Sequence, residues 1–246
     1  MKHLQDAYGQ AIYDFHSGED CNVVIERDDG YIDLDAPLKR YFSEYRNWAP
    51  YERLAIKCAK GRVLDVGCGA GRHSLHLQKL GLNVLAIDIS PLAIKTCRLR
   101  GLRNTKVLSI DNVDHGLGTF DTIVMLGNNF GLVGSWNKAR SLLKRFQSIT
   151  SDRACIIAGS ADPYDTKNAK HLEYHRRNKQ RRRTPGQLRI RVRYQNYMTP
   201  WFDYLLVSKK EMKRVVDGTG WKIQKIFSNS GPRYIALLNR PSDAIR

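Results

Sequence analysis

The stretch Asp65-Val66-Gly67-Cys68-Gly69-Ala70-Gly71 joins one acid to three glycines at alternate positions. Glycine is needed where a backbone turns sharply and where a ligand must touch it with no Cβ in between. Arg62–Val66 is a short apolar run and Arg72–Leu80 reads as a helix, so the glycines link a strand to a helix. A second acid, Asp88, ends the next apolar run, Asn83–Ile87, 21 residues after Gly67. A carboxylate there suits two neighbouring ribose hydroxyls. Asp111 follows a third run, and Leu126-Gly127-Asn128-Asn129 follows a fourth. All four positions lie at the carboxyl ends of predicted strands, where open α/β sheets bind ligands. Together they indicate an adenosine-containing ligand.

The spacing narrows the ligand. A dinucleotide fingerprint, GxGxxG, needs glycine where Arg72 stands, and the phosphate loop GxxxxGK[ST] is absent. Asp65 would also sit close to a pyrophosphate, where its charge is unfavourable. It better suits a ligand carrying an ammonium group, such as a methionine moiety.

The elements that must hold these residues alternate regularly from residue 62. After the second strand, Ser90-Pro91 opens a helix that runs to about Arg100, with Ser as N-cap and Pro preset for the first turn. Lys106–Ile110, Phe120–Leu126 and Ala154–Ala158 read as the third to fifth strands. A helix around 136–149 places Ala139, Leu142, Leu143, Phe146 and Ile149 on one face. Ser208 and Glu211 form a capping box for a last helix ending near Gly218, and Trp221–Phe227 and Tyr234–Leu238 are closing strands. Their connection is too short for a parallel crossover, so that pair is expected to be antiparallel. The fold class is α/β, a doubly wound and mostly parallel sheet.

The stretch VLDVGCGAGRHSLHLQKLGLNVLAIDIS resembles the first two motifs of class I S-adenosylmethionine-dependent methyltransferases. The resemblance is good over 62–159 and holds over 208–240 in strand order. It implies a Rossmann-like seven-stranded sheet of order 3-2-1-4-5-7-6, with strand 7 antiparallel. It further implies S-adenosylmethionine as cofactor, S-adenosylhomocysteine as product and no metal. Gly67, Gly69 and Gly71 would shape the cofactor loop, with Cys68 in its variable slot and without a redox role. Asp65 would help bind the methionine amino group and Asp88 the ribose hydroxyls. Ile89 would pack on adenine, Asp111 and Asn112 would read its edge, and Leu126 and Gly127 would offer carbonyls near the sulfonium.

The acceptor side carries no obligatory motif, because the cofactor supplies an activated methyl group and the protein mainly aligns the acceptor and excludes water. Catalytic candidates are Asn128, Asp203 and Tyr45. Acceptor-binding candidates are Tyr41, Asn129, Trp201 and Arg233. Tyr41, Tyr45 and Trp48 have helical spacing within 36–52. GNNFG is unlike the NPPY-type sequence of nucleic-acid amine methylators and closer to the turn of small-molecule N-methyltransferases. His73 and His76 on the first crossover helix read as surface residues rather than bases.

Two domains are expected. Residues 1–60 form a mostly helical N-terminal cap with a hairpin at 23–35. Residues 61–246 form the methyltransferase domain, with an insert at 160–207. In that insert Leu188, Ile190, Val192 and Tyr194 alternate with Arg189, Arg191 and Arg193, which predicts a strand with an arginine face outward.

Charge separates the remaining functions. The 246 residues hold 41 Lys and Arg against 24 Asp and Glu, a net of +17. Residues 1–35 carry −7, while 167–193 alone carries +10. Such an arm faces an acidic small-molecule acceptor, RNA phosphates or the chain's own acidic N-terminus. A small-molecule acceptor is the preferred reading and RNA the alternative. The five cysteines form no CxxC pair, no run is long enough to span a membrane and no signal peptide is visible. The expectation is therefore a cytoplasmic enzyme of unassigned oligomeric state.

Overall fold

The computed structural model describes residues 3–34 and 37–241. Asp35 and Ala36, where the predicted hairpin ends and the aromatic segment begins, lie outside them. In chain order the elements are α1 (Ala7–His16), β1 (Val24–Arg27), β2 (Ile32–Asp33), α2 (Lys39–Phe42), α3 (Pro50–Ile56), β3 (Arg62–Val66), α4 (Arg72–Lys79), β4 (Asn83–Asp88), α5 (Pro91–Leu99), β5 (Thr105–Val107) and β6 (Phe120–Met125). They continue as α6 (Trp136–Ser148), β7 (Thr150–Ala161), α7 (Ala169–Gln180), β8 (Gln187–Tyr194), β9 (Tyr197–Met198), β10 (Phe202–Leu205), α8 (Lys209–Val216), β11 (Lys222–Ser228) and β12 (Arg233–Asn239).

Seven strands form the main sheet in the order β5-β4-β3-β6-β7-β12-β11. The five from β5 to β7 are parallel. β12 runs antiparallel to both β7 and β11. This is the strand order that the family resemblance implies, and the short connection between the last two strands fits it. The continuously apolar strands β3 and β6 are buried on both faces. One face packs against α6 and α8 through Leu142, Leu143, Phe146, Met212 and Val215. The other packs against α3 and α4 through Trp48, Ala55, Ile56 and Leu77.

Two strand limits differ from expectation. β5 ends at Val107, because the Ser109 hydroxyl accepts from the Asp111 amide and turns the chain into a 3₁₀ segment, Ile110–Asn112. β7 starts earlier because Thr150 pairs with Phe120 of β6, and it ends later because β12 pairs with it as far as Ala161.

The two flanks build one structure. The hairpin β1–β2 forms around Asp29-Gly30, as expected. Strands β10, β8, β1 and β2 lie side by side in a second antiparallel sheet, with β9 off β8. Ile190, Val192 and Tyr194 are buried, and Arg189 and Arg193 are exposed, so the period-two reading of 188–194 holds. Ala7, Ala11, Ile12, Leu38, Val192 and Tyr194 pack with Ala70 of the glycine loop and Ala93 of α5.

α1 docks on α5 through Asp6, whose carboxylate accepts from the Ser90 hydroxyl (2.9 Å), the Leu92 amide (3.2 Å) and the Gly9 amide (3.1 Å). A Cβ at Gly9 would overlap the Ser90 hydroxyl and the Asp6 carboxylate. Helix propensity favours Gly9→Ala by about 1 kcal/mol, but overpacking costs about 1–3 kcal/mol, and here the clash involves polar atoms that must stay paired. The expected result is a net loss of stability with a lower urea midpoint. A raised midpoint would show that α1 does not dock in this way.

Candidate functional site

The strand ends bring the glycine loop, Asp88 and Asn128-Asn129 to the carboxyl edge of the sheet. Gly67, Gly69 and Gly71 all adopt left-handed backbone conformations (φ 72°, 55° and 78°), which a side chain would strain. A Cβ on Gly69 would lie 3.1 Å from the Tyr41 ring, and one on Gly67 would lie 2.7 Å from the Asn129 amide nitrogen. The loop therefore has side chains directly over its backbone. Asn129 ties it to the fourth parallel strand by donating to the carbonyls of Val66 (2.9 Å) and Gly67 (2.7 Å).

Asp88 accepts from the Gly69 amide and the Ser90 amide, both at 2.9 Å. One carboxylate thus fixes both the loop and the start of α5. Burial raises its pKa, against the lowering effect of those two amides. Asp65 is buried and accepts from Ser74, whose hydroxyl lies at 2.6 Å and whose backbone N–H also contributes. Burial pushes its pKa up to about 6, and no cation pairs with it directly among the described residues. A buried carboxyl in this state has an unmet demand for positive charge, which an ammonium group satisfies.

A cluster of phenols covers the loop. The hydroxyls of Tyr8, on α1, and Tyr41, on α2, are bonded to each other. Tyr204 of β10 donates to the Asn128 carbonyl at 2.6 Å, and its ring lies against Gly131. Burial raises the pKa of all three above the ordinary tyrosine value, so each stays a neutral donor. Tyr204 follows Pro200 in the sequence with Trp201 and Asp203, near the expected rim, whereas Tyr8 carries no sequence signal, because α1 comes to the loop by docking on α5.

The aromatic segment 36–52 is not one helix. Backbone turns extended at Ser43, Trp48 and Ala49 break it into α2, a 3₁₀ turn at 45–47 and α3. Only Tyr41 reaches the glycine loop. Tyr45 stacks on His76 (ring centroids 4.4 Å apart), and Trp48 packs edge-on against His73 (4.8 Å). His73 is a buried residue and not a surface one, because this segment folds over α4. Glu52 of α3 accepts from Arg72 at 2.5 Å and meets His73 Nε2 at 2.8 Å. Burial and the neighbouring Arg72 lower His73 to a pKa of about 4, so it is neutral at pH 7.

The other candidates are spread more widely. Ile89 is 52% exposed beside the site, and Asp111 and Asn112 are exposed at the adjoining turn. Leu126 is buried and Gly127 exposed at the end of β6. Cys68 and Cys97 are both buried, with sulfurs 3.8 Å apart. Asp203 is held by Arg183 (3.0 Å) and Arg189 (3.7 Å), and Trp201 lies under the Arg191 guanidinium. Arg233 starts β12 and is exposed.

Much of the basic arm meets the chain's own acids. Arg191 and Arg193 pair with Glu26 across β8 and β1 (2.8 and 3.5 Å), and Arg181 pairs with Asp28 (3.6 Å). Arg191 holds the Glu26 carboxyl below the usual range. Arg176 and Arg177 pair with Glu173 within α7. α7 has no apolar stripe for the sequence to show, since its buried side is only Tyr174 and the polar Asn178 amid charged residues.

Residues 63–152 match a family model described as a methyltransferase domain. A solved S-adenosylmethionine-dependent methyltransferase from Bacteroides fragilis, in complex with S-adenosylhomocysteine, superposes with a TM-score of 0.83 at 26% identity, covering 98% of this chain and 97% of that one. Both matches support a class I S-adenosylmethionine-dependent methyltransferase. The CcbJ methyltransferase from Streptomyces caelestis shares the fold (TM-score 0.63, 12% identity, 96% and 98% covered). A ubiquinone biosynthesis O-methyltransferase from Xanthomonas oryzae pv. oryzae is 33% identical over 100 residues, 38% of this chain and 42% of that protein. The chain thus matches less than half the length of that curated relative. No described helix is long and apolar enough to cross a membrane.

Asp65 supplies a pH test of the site. Its folded pKa is raised above the unfolded value, so its own contribution to stability is present below about pH 4 and is lost as pH rises through 6. Binding of an ammonium-bearing ligand has the opposite sign, because it needs the carboxylate. S-adenosylhomocysteine affinity, measured by calorimetry, is expected to be flat above pH 7. Below pH 6 it should fall by up to about tenfold per unit. Asp65→Asn should bind more weakly and without this slope.

Proposed function

We propose that the chain transfers a methyl group from S-adenosylmethionine to a small-molecule acceptor. The observation carrying this reading is the joint arrangement of the left-handed glycine loop, the loop-anchoring Asp88 and the uncompensated buried Asp65. These residues fit the cofactor. Gly67, Cys68, Gly69 and Gly71 would lie along its methionine and sugar, Asp65 would meet the ammonium and Asp88 the ribose hydroxyls. Ile89, Asp111 and Asn112 would flank the adenine, and the carbonyls of Leu126 and Gly127 would face the sulfonium. When bound, the cofactor supplies a methyl group already activated for in-line displacement.

The chain's own contribution is alignment and exclusion of water. α1, α2 and β10 close over the loop, and Tyr8, Tyr41 and Tyr204 present hydroxyls rather than charges. Asn128 holds its left-handed backbone (φ 67°) under the Tyr204 hydroxyl, which sets the floor of the acceptor side. Asn129 acts on the loop from below. Asp203 is committed to two arginines, which suits it to holding β10 in place. Tyr45 is stacked on α4, so its support for catalysis is indirect.

Two observations support a small acceptor over RNA. The site is roofed by two flanks that meet in one sheet, and the arginines of 167–193 are largely paired with Glu26, Asp28, Glu173 and Asp203. The free state of the five cysteines fits a reducing cytoplasm. Incubation with methyl-labelled S-adenosylmethionine and a panel of small phenols, amines and carboxylates should label small molecules and leave added RNA unlabelled. Label on RNA alone, lost when Arg181–Arg183 become Ala, would overturn the choice.

A further inference from the structure

Arg233 and Arg40 stand apart from the other arginines around the site. Both are exposed, and neither side chain makes a hydrogen bond or ion pair among the described residues. The sheet register places Arg233. It pairs with Ala161, and Ile235 pairs with Gly159. Directly opposed antiparallel residues share a face, as do residues two apart on one strand. Arg233 therefore leaves the sheet on the same face as Gly159. A Cβ on Gly159 would meet the Asn128 amide nitrogen at 3.3 Å. The Arg233 side chain thus emerges on the Asn128 side, where Tyr204 donates to the Asn128 carbonyl. Ile235 packs with Trp48 and Ile56 on that face, alongside Tyr51 of α3.

Arg40 approaches the same opening from α2, one residue before the Tyr41 ring that lies over Gly69. Electrostatics agrees with this placement. Arg233 and Arg40 both act on the Tyr51 phenol, Arg233 acts on Tyr204 and Arg40 acts on Tyr41.

The nearby acids do not compensate them. Glu52 is held by Arg72 and His73. Asp88 is held by two loop amides, and Asp65 is buried beneath them. Asp162 follows Ala161 on the opposite face and accepts from the Tyr164 amide at 2.9 Å. Among the described residues the opening therefore has a neutral phenolic lining and a cationic rim without a paired acid.

We propose that Arg233, with Arg40 across the opening, binds an anionic group of the acceptor, so that the acceptor is a small carboxylate- or phosphate-bearing molecule. This rests on the methyltransferase reading above. A guanidinium offers a planar fork that matches carboxylate and phosphate, and partial desolvation beside Tyr51 and Tyr204 strengthens the pairing. The arm at 167–193 has spent much of its charge on its own acids. The acceptor's anion is therefore met at the sheet edge.

The test begins with full-length protein saturated with S-adenosylhomocysteine and titrated calorimetrically with benzoate, benzamide and inorganic phosphate. The proposal expects benzoate or phosphate to bind at least tenfold more tightly than benzamide. Arg233→Gln should lose at least tenfold of that affinity, with S-adenosylhomocysteine affinity within twofold of wild type. Arg233→Lys should retain part of the preference. The proposal is overturned if neither anion outbinds benzamide or if Arg233→Gln binds the anions like wild type. It is also overturned if Arg233→Gln instead weakens S-adenosylhomocysteine tenfold, since the arginine would then serve the cofactor's own carboxylate. Failure of wild type to bind S-adenosylhomocysteine at all is a separate result and overturns the methyltransferase reading itself.

Discussion

Asp88→Ala is expected to reduce S-adenosylhomocysteine affinity at least hundredfold. Two effects act together. A carboxylate bonded to two ribose hydroxyls contributes about 1.5–3 kcal/mol per bond to a charged acceptor. The same carboxylate accepts from the Gly69 and Ser90 amides, and its removal leaves two buried-side donors unpaired. The glycine loop would then lose its anchor to α5 just where it must stay close to the ligand. Asp88→Asn is an informative companion. Its amide group would face one of those two N–H donors, so it should recover only part of the loss. Calorimetric affinities within threefold of wild type for Asp88→Ala would show that the ligand is not held at this strand end.

Glu52→Ala should produce the largest loss of stability. Glu52 is buried, and its single carboxylate meets both Arg72 and His73. Burial raises its pKa, but His73 and Arg72 outweigh that and lower it, so it is ionised at neutral pH. Removing one partner of a buried charged network leaves the other charge uncompensated, at a cost of about 3–5 kcal/mol. For a chain of this size that corresponds to a fall in Tm of about 6–20 °C. Arg72 directly follows Gly71, so the same change should also loosen the glycine loop and weaken S-adenosylhomocysteine binding. Glu52→Gln keeps the shape and one acceptor and should fall between wild type and Ala. A Tm for Glu52→Ala within 2 °C of wild type would show that the network is not part of the fold's support.

The parts legible in the sequence are those governed by local periodicity. β3, β4 and β6 announce themselves as apolar runs, and the glycines, Asp65 and Asp88 follow because each sits next to such a run. The alternation from Leu188 to Tyr194 likewise gave β8 and its outward arginines. What stayed hidden depends on contacts between distant segments. Tyr8 reaches the site only because α1 docks on α5 through Asp6 and Ser90, 84 positions apart, and there its hydroxyl meets that of Tyr41. His73 looks like a surface residue until Trp48 and Glu52 fold over it. α7 was missed because its helical face is narrow and its residues are mostly charged.

Pairing of the acidic N-terminus with the basic insert was open in the sequence as one of three destinations for that charge. Register settles where those arginines point, since Glu26 stands opposite Arg191 in the β1–β8 pair. The net charge of +17 therefore contains a structural share that holds the roof of the site together. The exposed Arg233 and Arg40 have a different surrounding, with no hydrogen-bond or ion-pair partner for either side chain among the described residues.

Hydrogen exchange with and without S-adenosylhomocysteine tests the central claim most directly. The account predicts added protection concentrated at residues 65–71 and 88–93, extending to α1 and α2, which cover the loop. Unchanged exchange at those residues under saturating ligand, or protection confined to the 167–193 arm, would contradict it.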